Sequence, residues 1–412
     1  MTSIRSLLVD GVVEPLGTTI DKTRRSAAHL ASAAATRSDA ALEDALSGLA
    51  GLGVAPARAL GATREEIAAS TARSRFTVDG VFANREPAFP GGPGMGDISQ
   101  MVRRPGRPSR PIPVLTPAFD EQTRSQAPGA ELAATWLGHA SVLVEIDGVR
   151  VLTDPVFSLR CSPSQTIGPR RMHESPVTVG SLPPIDVVLI SHDHYDHLDT
   201  ATVDALAALH PQARFVCPIG VDAHLRAWGV DASRIHTADW YEHVTLDVDG
   251  TQLRFHATAA RHFSGRTLAR NLTQWVSWGV VGPRHRFFFS GDTGFTERYA
   301  EVGDLLGPFD LTLIAVGAYG DSWPDIHIDP EEALSIHHLI NPGAATESLL
   351  LPIHWGTFNL AVHPWAEPIQ RLLTGAGTAG VDVCVPRPGG AVDVEKRNGT
   401  AYDDPTWWER CA

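Results

Sequence analysis

The chain has 412 residues, 43% of them hydrophobic and 20% charged, which supplies a sizeable core and excludes a disordered protein. Its formal net charge of −13 argues against a general nucleic-acid binder, which carries a basic excess to meet phosphates, and against docking on anionic lipid through charge. The four cysteines, Cys161, Cys217, Cys384 and Cys411, are far apart with no CxxC pair, so neither a disulfide framework nor a zinc ribbon is read from them, and a reducing compartment is expected.

In chain order, the amino terminus MTSIRSLLVDGVVEP interrupts a short apolar run with Asp10 and Glu14, unlike a signal peptide. No stretch approaches the roughly 20 apolar residues of a membrane helix. A cytoplasmic location is expected, with peripheral membrane contact left open. From about Asp21 to Thr71 alanines and leucines alternate with charges, which predicts two or three helices, and residues 1–84 are taken as a helical amino-terminal segment. Residues 85–117 are rich in proline and glycine and read as a linker or an arm. Arg103, Arg104, Arg107 and Arg110 cluster there; a solvated arm pairing with an acidic surface is the simpler reading, contact with an anionic partner the other.

From Glu131 onward short β-rich runs alternate with helical patterns. SVLVEIDGVRVLTD predicts two strands about Asp147-Gly148, VTLDVDGTQLRFHAT two more about Asp249-Gly250, and WVSWGVVGPRHRFFFSGDTG a third pair about Gly282-Pro283. ATVDALAALH and DPEEALSIHHL predict helices. Hairpins interleaved with helices suggest stacked sheets with helices outside.

The densest chemistry is VVLISHDHYDHLDT, where an apolar run gives way to His192, Asp193, His194, Asp196, His197 and Asp199. His192 and His194 are two apart, so on extended backbone both point toward one cation, while Asp196 and His197 on the following turn face a second. Imidazole with carboxylate and no nearby thiol suits Zn²⁺, Mn²⁺ or Fe²⁺ in a working site better than a structural zinc. Further ligands are expected where β-like runs end, at His262, Asp292 and His354, with Asp292 placed to bridge. His256 lies within a strand and reads as a sheet histidine.

HDHYDH is the HxHxDH signature of the metallo-β-lactamase superfamily. A closer resemblance is to the N-acylphosphatidylethanolamine-hydrolysing phospholipase D family, carried by WLGHASVLVE, LTDPVFSLRCSPSQTIGPRR, LPPIDVVLISHDHYDHLD, HRFFFSGDTGF, IAVGAYGDSW, HIDPEEALSIH and PIHWGTFNLA. These blocks run from about Trp136 to Pro368; the chain before about Ile112 carries none of it. The resemblance implies an α/β fold, an αββα sandwich over residues 118–412 with metals at the sheet edge. It also implies that His192, His194 and His262 hold one ion, Asp196, His197 and His354 the other, with Asp292 bridging.

Two such ions, most simply Zn²⁺, would share a water roughly 3.5 to 4 Å between them and lower its pKa, giving a hydroxide nucleophile that Asp196 orients. The reaction implied is hydrolysis of a phosphodiester or phospholipid, with a lactonase or other carbonyl hydrolase as the alternative. His327 matches a family position near substrate and is read as a catalytic residue, or else as a histidine near the cap of the helix begun by Asp329-Pro330. The family often has glutamine just before it, where this chain has Ile326. His139 and Asp154 are read as partners that fix ligand imidazoles, or as plain hydrogen-bonders. His337, His338 and His363 are read as packing or surface residues, and Trp407-Trp408 as a docked tail.

Overall fold

Aspartate-glycine pairs set the hairpins of this chain: Asp147 and Gly148 adopt φ of 51° and 86°, Asp249 and Gly250 of 50° and 89°. This left-handed pair matches the twist of a tight β-hairpin, and glycine reaches it without a steric cost. The computed structural model describes residues 55–89, 106–119, 126–127, 129–267 and 269–412. The helices read between residues 21 and 54, and Arg103 and Arg104 of the arm, lie outside the described residues.

The described amino-terminal part holds α1 (Ala55–Arg58) and α2 (Arg64–Thr71). Helix α2 opens on a capping box in which the Thr63 side chain accepts from the Glu66 amide and the Glu66 carboxylate accepts from the Thr63 amide. The segment is not helical to residue 84. Strands β1 (Thr77–Val78) and β2 (Val81–Phe82) form a hairpin, because β-branched and aromatic residues flank an Asp79-Gly80 turn with φ of 53° and 78°. Phe82 and, from the arm, Ile112 are buried in the main apolar cluster, so both stretches share a core with the rest of the chain.

The first large sheet contains β3 (Leu132–Gly138), β4 (Ser141–Ile146), β5 (Val149–Thr153), β6 (Val187–Leu189), β7 (Arg214–Pro218) and β8 (Ile235–Ala238), with β16 (Ala391–Asp393) on the edge beside β3. The second contains β9 (His243–Val248), β10 (Thr251–Ala259), β11 (Val276–Val281), β12 (Arg286–Phe289), β13 (Leu311–Ala315), β14 (Leu349–Ile353) and β15 (Asp382–Val383), in the order β15-β14-β13-β12-β11-β10-β9. Helices α3 (Thr200–Leu209) and α4 (Val221–Ala227) cover the first sheet; α5 (Tyr299–Leu306), α6 (Pro330–Ile340) and α7 (Glu367–Ala379) cover the second.

Alternation along single strands shows why the layers stack. Val187 and Leu189 join the cluster that also takes Trp278, Phe287, Phe289 and Leu313 of the second sheet, whereas Val188 and Ile190 join Val203, Leu206 and Leu225 under α3 and α4. Strand β6 is therefore buried on both faces, which its unbroken apolar run required. The architecture is the αββα sandwich. Trp407 docks wholly buried at the carboxyl end, its indole N–H donating to the Val385 carbonyl at 3.0 Å. Among the described residues no helix is long and apolar enough to cross a membrane.

Candidate metal centre

Where strands end, side chains of both sheets meet. Asp154 follows β5 and His192 follows β6 in the first sheet; His262 follows β10, Asp292 follows β12 and His354 follows β14 in the second. The parallel pairs β5-β6, β12-β13 and β13-β14 bring these carboxyl ends to one edge, the crevice where open α/β sheets place their sites. His139, in the turn between β3 and β4, reaches the same edge with φ of 54°.

Two groups of donor atoms form there. His192, His194, His262 and Asp292 each offer one atom, all within 4.8 Å of one another, and His139, Asp196, His197 and His354 do the same. In the first group, His194 Nδ1 lies 2.9 Å from His192 Nε2 and 3.3 Å from His262 Nε2. In the second, His354 Nε2 and His197 Nε2 lie 3.3 Å and 3.5 Å from Asp196 Oδ2. Asp292 faces both: Oδ2 is 3.6 Å from His262 Nε2 and 3.2 Å from His197 Nε2, and Oδ1 is 3.1 Å from His354 Nε2. The structure thus brings together all seven residues read from the sequence, with Asp292 between the groups.

The outer ring nitrogens fix which lone pairs point inward. His197 Nδ1–H donates to Asp154 Oδ2 at 2.6 Å, and His262 Nδ1–H donates to the Ile326 carbonyl at 2.7 Å. Ser191 donates its hydroxyl to Asp154 at 2.5 Å, so at 2.9 Å its oxygen is left to accept from His192 Nδ1–H. When neutral, each of these three imidazoles therefore turns its Nε2 lone pair into the site. Asp154 stands behind the His197 ring as its hydrogen-bond partner.

This donor set fits metal. Lone-pair nitrogens that crowd one another repel unless a cation lies between them, and the buried His197 Nε2, His354 Nε2 and Asp292 Oδ1 have no hydrogen-bond partner. Electrostatics say the same. Burial opposes charge on His354, yet Asp292 and Asp196 outweigh it and lift its pKa to about 9; His197 is raised in the same way. Burial likewise opposes charge on Asp292, but the facing imidazoles hold it well below the usual carboxylate range. The pocket stores negative charge that it must balance with protons or with cations.

Not every residue of the motif faces inward. Of three carboxylates in it, Asp196 alone enters the site: Asp193 turns back to the Gly265 amide and the Thr273 hydroxyl, and Asp199 accepts from the Ser158 amide and the Thr202 hydroxyl. His139 does more than the sequence assigned it, since its Nε2 stands 3.0 Å from Asp196 Oδ2 within the second donor group. His327 has its Nδ1 3.9 Å from Asp292 Oδ2 and without a partner; Asp329, not His327, caps α6. His256 stays in β10, stacked on His243. His337 and His338 sit on α6 bonded to Thr312 and Leu334, and His363 accepts from the Ala318 amide.

Beside His194 and Asp196 lies a cleft of about 340 Å³ walled by Cys161, Tyr195, Phe263, Leu360 and Arg270. The Arg270 guanidinium lies 5.0 Å over the Phe263 ring, whose edge meets His194 at 4.4 Å.

A family model described as a beta-lactamase superfamily domain matches residues 149–355, a span that encloses all seven inward-facing residues read from the sequence. The chain belongs to the metallo-β-lactamase superfamily and is a metal-dependent hydrolase. Within it the chain stands near the N-acyl-phosphatidylethanolamine-hydrolysing phospholipases D: it is 37% identical to phospholipase D 1 of that kind from Caenorhabditis elegans over 58% of this chain and 68% of the relative. An uncharacterised protein of Mycobacterium tuberculosis is 46% identical over 81% of this chain and 88% of its own length. Among solved structures, an isothiocyanate hydrolase from Delia radicum gut bacteria shares the fold, with a TM-score of 0.50 and 18% identity over 63% of this chain and 98% of that one.

Proposed function

We propose that the protein is a binuclear metal-dependent phosphodiesterase of phospholipase D type, acting on N-acylphosphatidylethanolamine or a related lipid or small phosphodiester. The observation that carries this reading is the placement of Asp292 between two donor groups, each with at least three other ligands. His192, His194 and His262 would hold one divalent ion, Asp196, His197 and His354 the other, and Asp292 both; oxygen and nitrogen donors suit Zn²⁺ and also Mn²⁺ or Fe²⁺. Such ions, when bound, supply Lewis acidity and a water acidified to near neutrality.

The chain's own groups account for the rest. Asp196, held by His139, is placed to orient the attacking water. His327 is kept neutral by burial, its pKa lowered to about 4, so one ring nitrogen can donate to a phosphoryl oxygen or to the departing alkoxide. Phe263, Tyr195 and Leu360 offer apolar walls to an acyl or glyceryl portion, and Arg270 offers a cation to an anionic group beside it. Leu159 and Ile167, exposed on the loop that carries Cys161 and Pro169 to the cleft, suit contact with a lipid surface. Ile326 is buried against Ala318, Trp323 and Ala361, so the position where the family often has glutamine carries no side-chain amide here.

The test is hydrolysis of bis(p-nitrophenyl) phosphate by zinc- or manganese-reconstituted protein beside a chelated sample. Turnover should vanish on chelation; two bound metals with cleavage of a lactone and none of the diester would move the assignment to a carbonyl hydrolase. In the same assay His327→Ala should lower kcat by about 10²- to 10⁴-fold at unchanged metal content. Metal lost from that variant would place His327 among the ligands instead.

A further inference from the structure

Asp193 stands between two inward-facing histidines but points away from them, toward His224 and the stretch from His262 to Thr273. Its carboxylate accepts from the Gly265 amide at 2.7 Å and from the Thr273 hydroxyl at 2.8 Å, both on the stretch that begins with His262. The His224 ring, on α4 and 2% exposed, faces the same carboxylate with Nε2 at 3.4 Å. On its other side His224 Nδ1 accepts from the Ala62 amide at 2.9 Å, so the proton is on Nε2, which is buried without a hydrogen-bond partner and lies 3.4 Å from Asp193 Oδ2.

Arg266 completes the connection. Fully buried, its guanidinium donates to the carbonyls of Asp193 at 2.7 Å and Leu198 at 2.8 Å, the two ends of the loop that carries His194, Asp196 and His197. Its remaining nitrogens donate to the Ala59 carbonyl at 3.0 Å and 2.8 Å. Gly61, between these contacts with φ of 86°, leaves no room for a side chain: a Cβ there would overlap the His224 ring. Gly61, Asp193, His224 and Arg266 share the lining of one partly open cavity of about 30 Å³. The opposite face of the same stretch, with Phe263 and Arg270, walls the substrate cleft.

We infer that His224 is a positioning residue which, with residues 57–63 and Arg266, braces Asp193 and so sets the geometry of His192, His194 and His262 for metal. Residues 57–63 thereby act on the centre without touching it, whereas the Asn84 side chain bonds the His262 backbone directly. This rests on the metal-centre reading above. Outer partners of ligand side chains act on affinity by about 10- to 100-fold, and that is the effect expected here.

The experiment is titration of the full chain with Co²⁺, read by the visible ligand-field spectrum and by competition with a chromophoric chelator. His224→Leu, which removes both hydrogen-bonding nitrogens, should weaken binding by about 10- to 100-fold and alter the spectrum. His224→Gln keeps an N–H for Asp193 and should recover most of that loss, whereas Gly61→Ala, which displaces the ring, should share it. Arg73→Ala cuts the Arg73 ion pair with Glu242, which lies outside residues 57–63, and should leave affinity unchanged. Wild-type affinity and spectrum in both His224→Leu and Gly61→Ala would overturn the inference, and so would an equal loss in Arg73→Ala. Should His224→Leu not fold, Gly61→Ala against His224→Gln decides. A wild-type chain that takes up no cobalt would sink the metal-centre reading itself.

Discussion

On the proposed binuclear reading, Asp292→Asn should bring metal content from two ions per chain to one or fewer and lower turnover of a phosphodiester by at least about 10³-fold. The substitution keeps the volume of a side chain that is 3% exposed, so the fold has little reason to change. What it removes is the negative charge between the two donor groups. The Asp292 oxygens stand 3.2 Å from His197 Nε2, 3.1 Å from His354 Nε2 and 3.6 Å from His262 Nε2. An amide can place an oxygen toward only one group and turns an NH₂ toward the other, where a cation or a lone pair already stands. Metal content by mass spectrometry, with kcat on the same preparation, checks this. Two bound ions and near-normal turnover in the variant would show that Asp292 does not bridge.

The cluster of seven inward-facing residues was legible because metal chemistry restricts both residue type and place. Histidines and carboxylates gathered after an apolar run can hardly be explained as surface, and His262, Asp292 and His354 each stand just past a strand of the second sheet. Spacing alone could not say which carboxylate of HDHYDH turns inward. Asp193 and Asp199 are set by partners 41 to 80 residues away, at Ser158, Gly265 and Thr273. His139 was underestimated for a similar reason: its reach to Asp196 depends on a left-handed φ of 54° in a turn whose sequence does not say where the ring points. The Asp79-Gly80 hairpin was lost inside an alanine-rich neighbourhood, although the turn chemistry that identified the later hairpins is present there too. The brace around Asp193 had no local signature, since its strongest links are backbone amides and carbonyls of Ala59, Ala62 and Leu198, which any residue except, for an amide, proline could supply.

Asp154→Ala should cost about 3 to 5 kcal/mol of stability and empty the site that His197 serves. Asp154 is wholly buried and accepts from His197 Nδ1–H at 2.6 Å, from the Ser191 amide at 2.7 Å and from the Ser191 hydroxyl at 2.5 Å. Alanine leaves all three donors without a partner in a place water cannot reach, and the penalty falls on folding. Asp154→Asn separates folding from metal binding. Its single oxygen should remain with the Ser191 amide, which the backbone cannot move, so its NH₂ turns toward His197. The imidazole then accepts at Nδ1 and carries its proton on Nε2, facing Asp292 and Asp196 where a lone pair is needed. This variant should therefore lose about 1 to 3 kcal/mol of stability, through the displaced hydrogen bonds, while metal affinity falls by about 10- to 100-fold. Urea unfolding beside chelator competition measures both quantities. Wild-type affinity in Asp154→Asn would mean that His197 keeps its tautomer without a carboxylate behind it, and that the inward lone pair is set by the cation instead of by the protein.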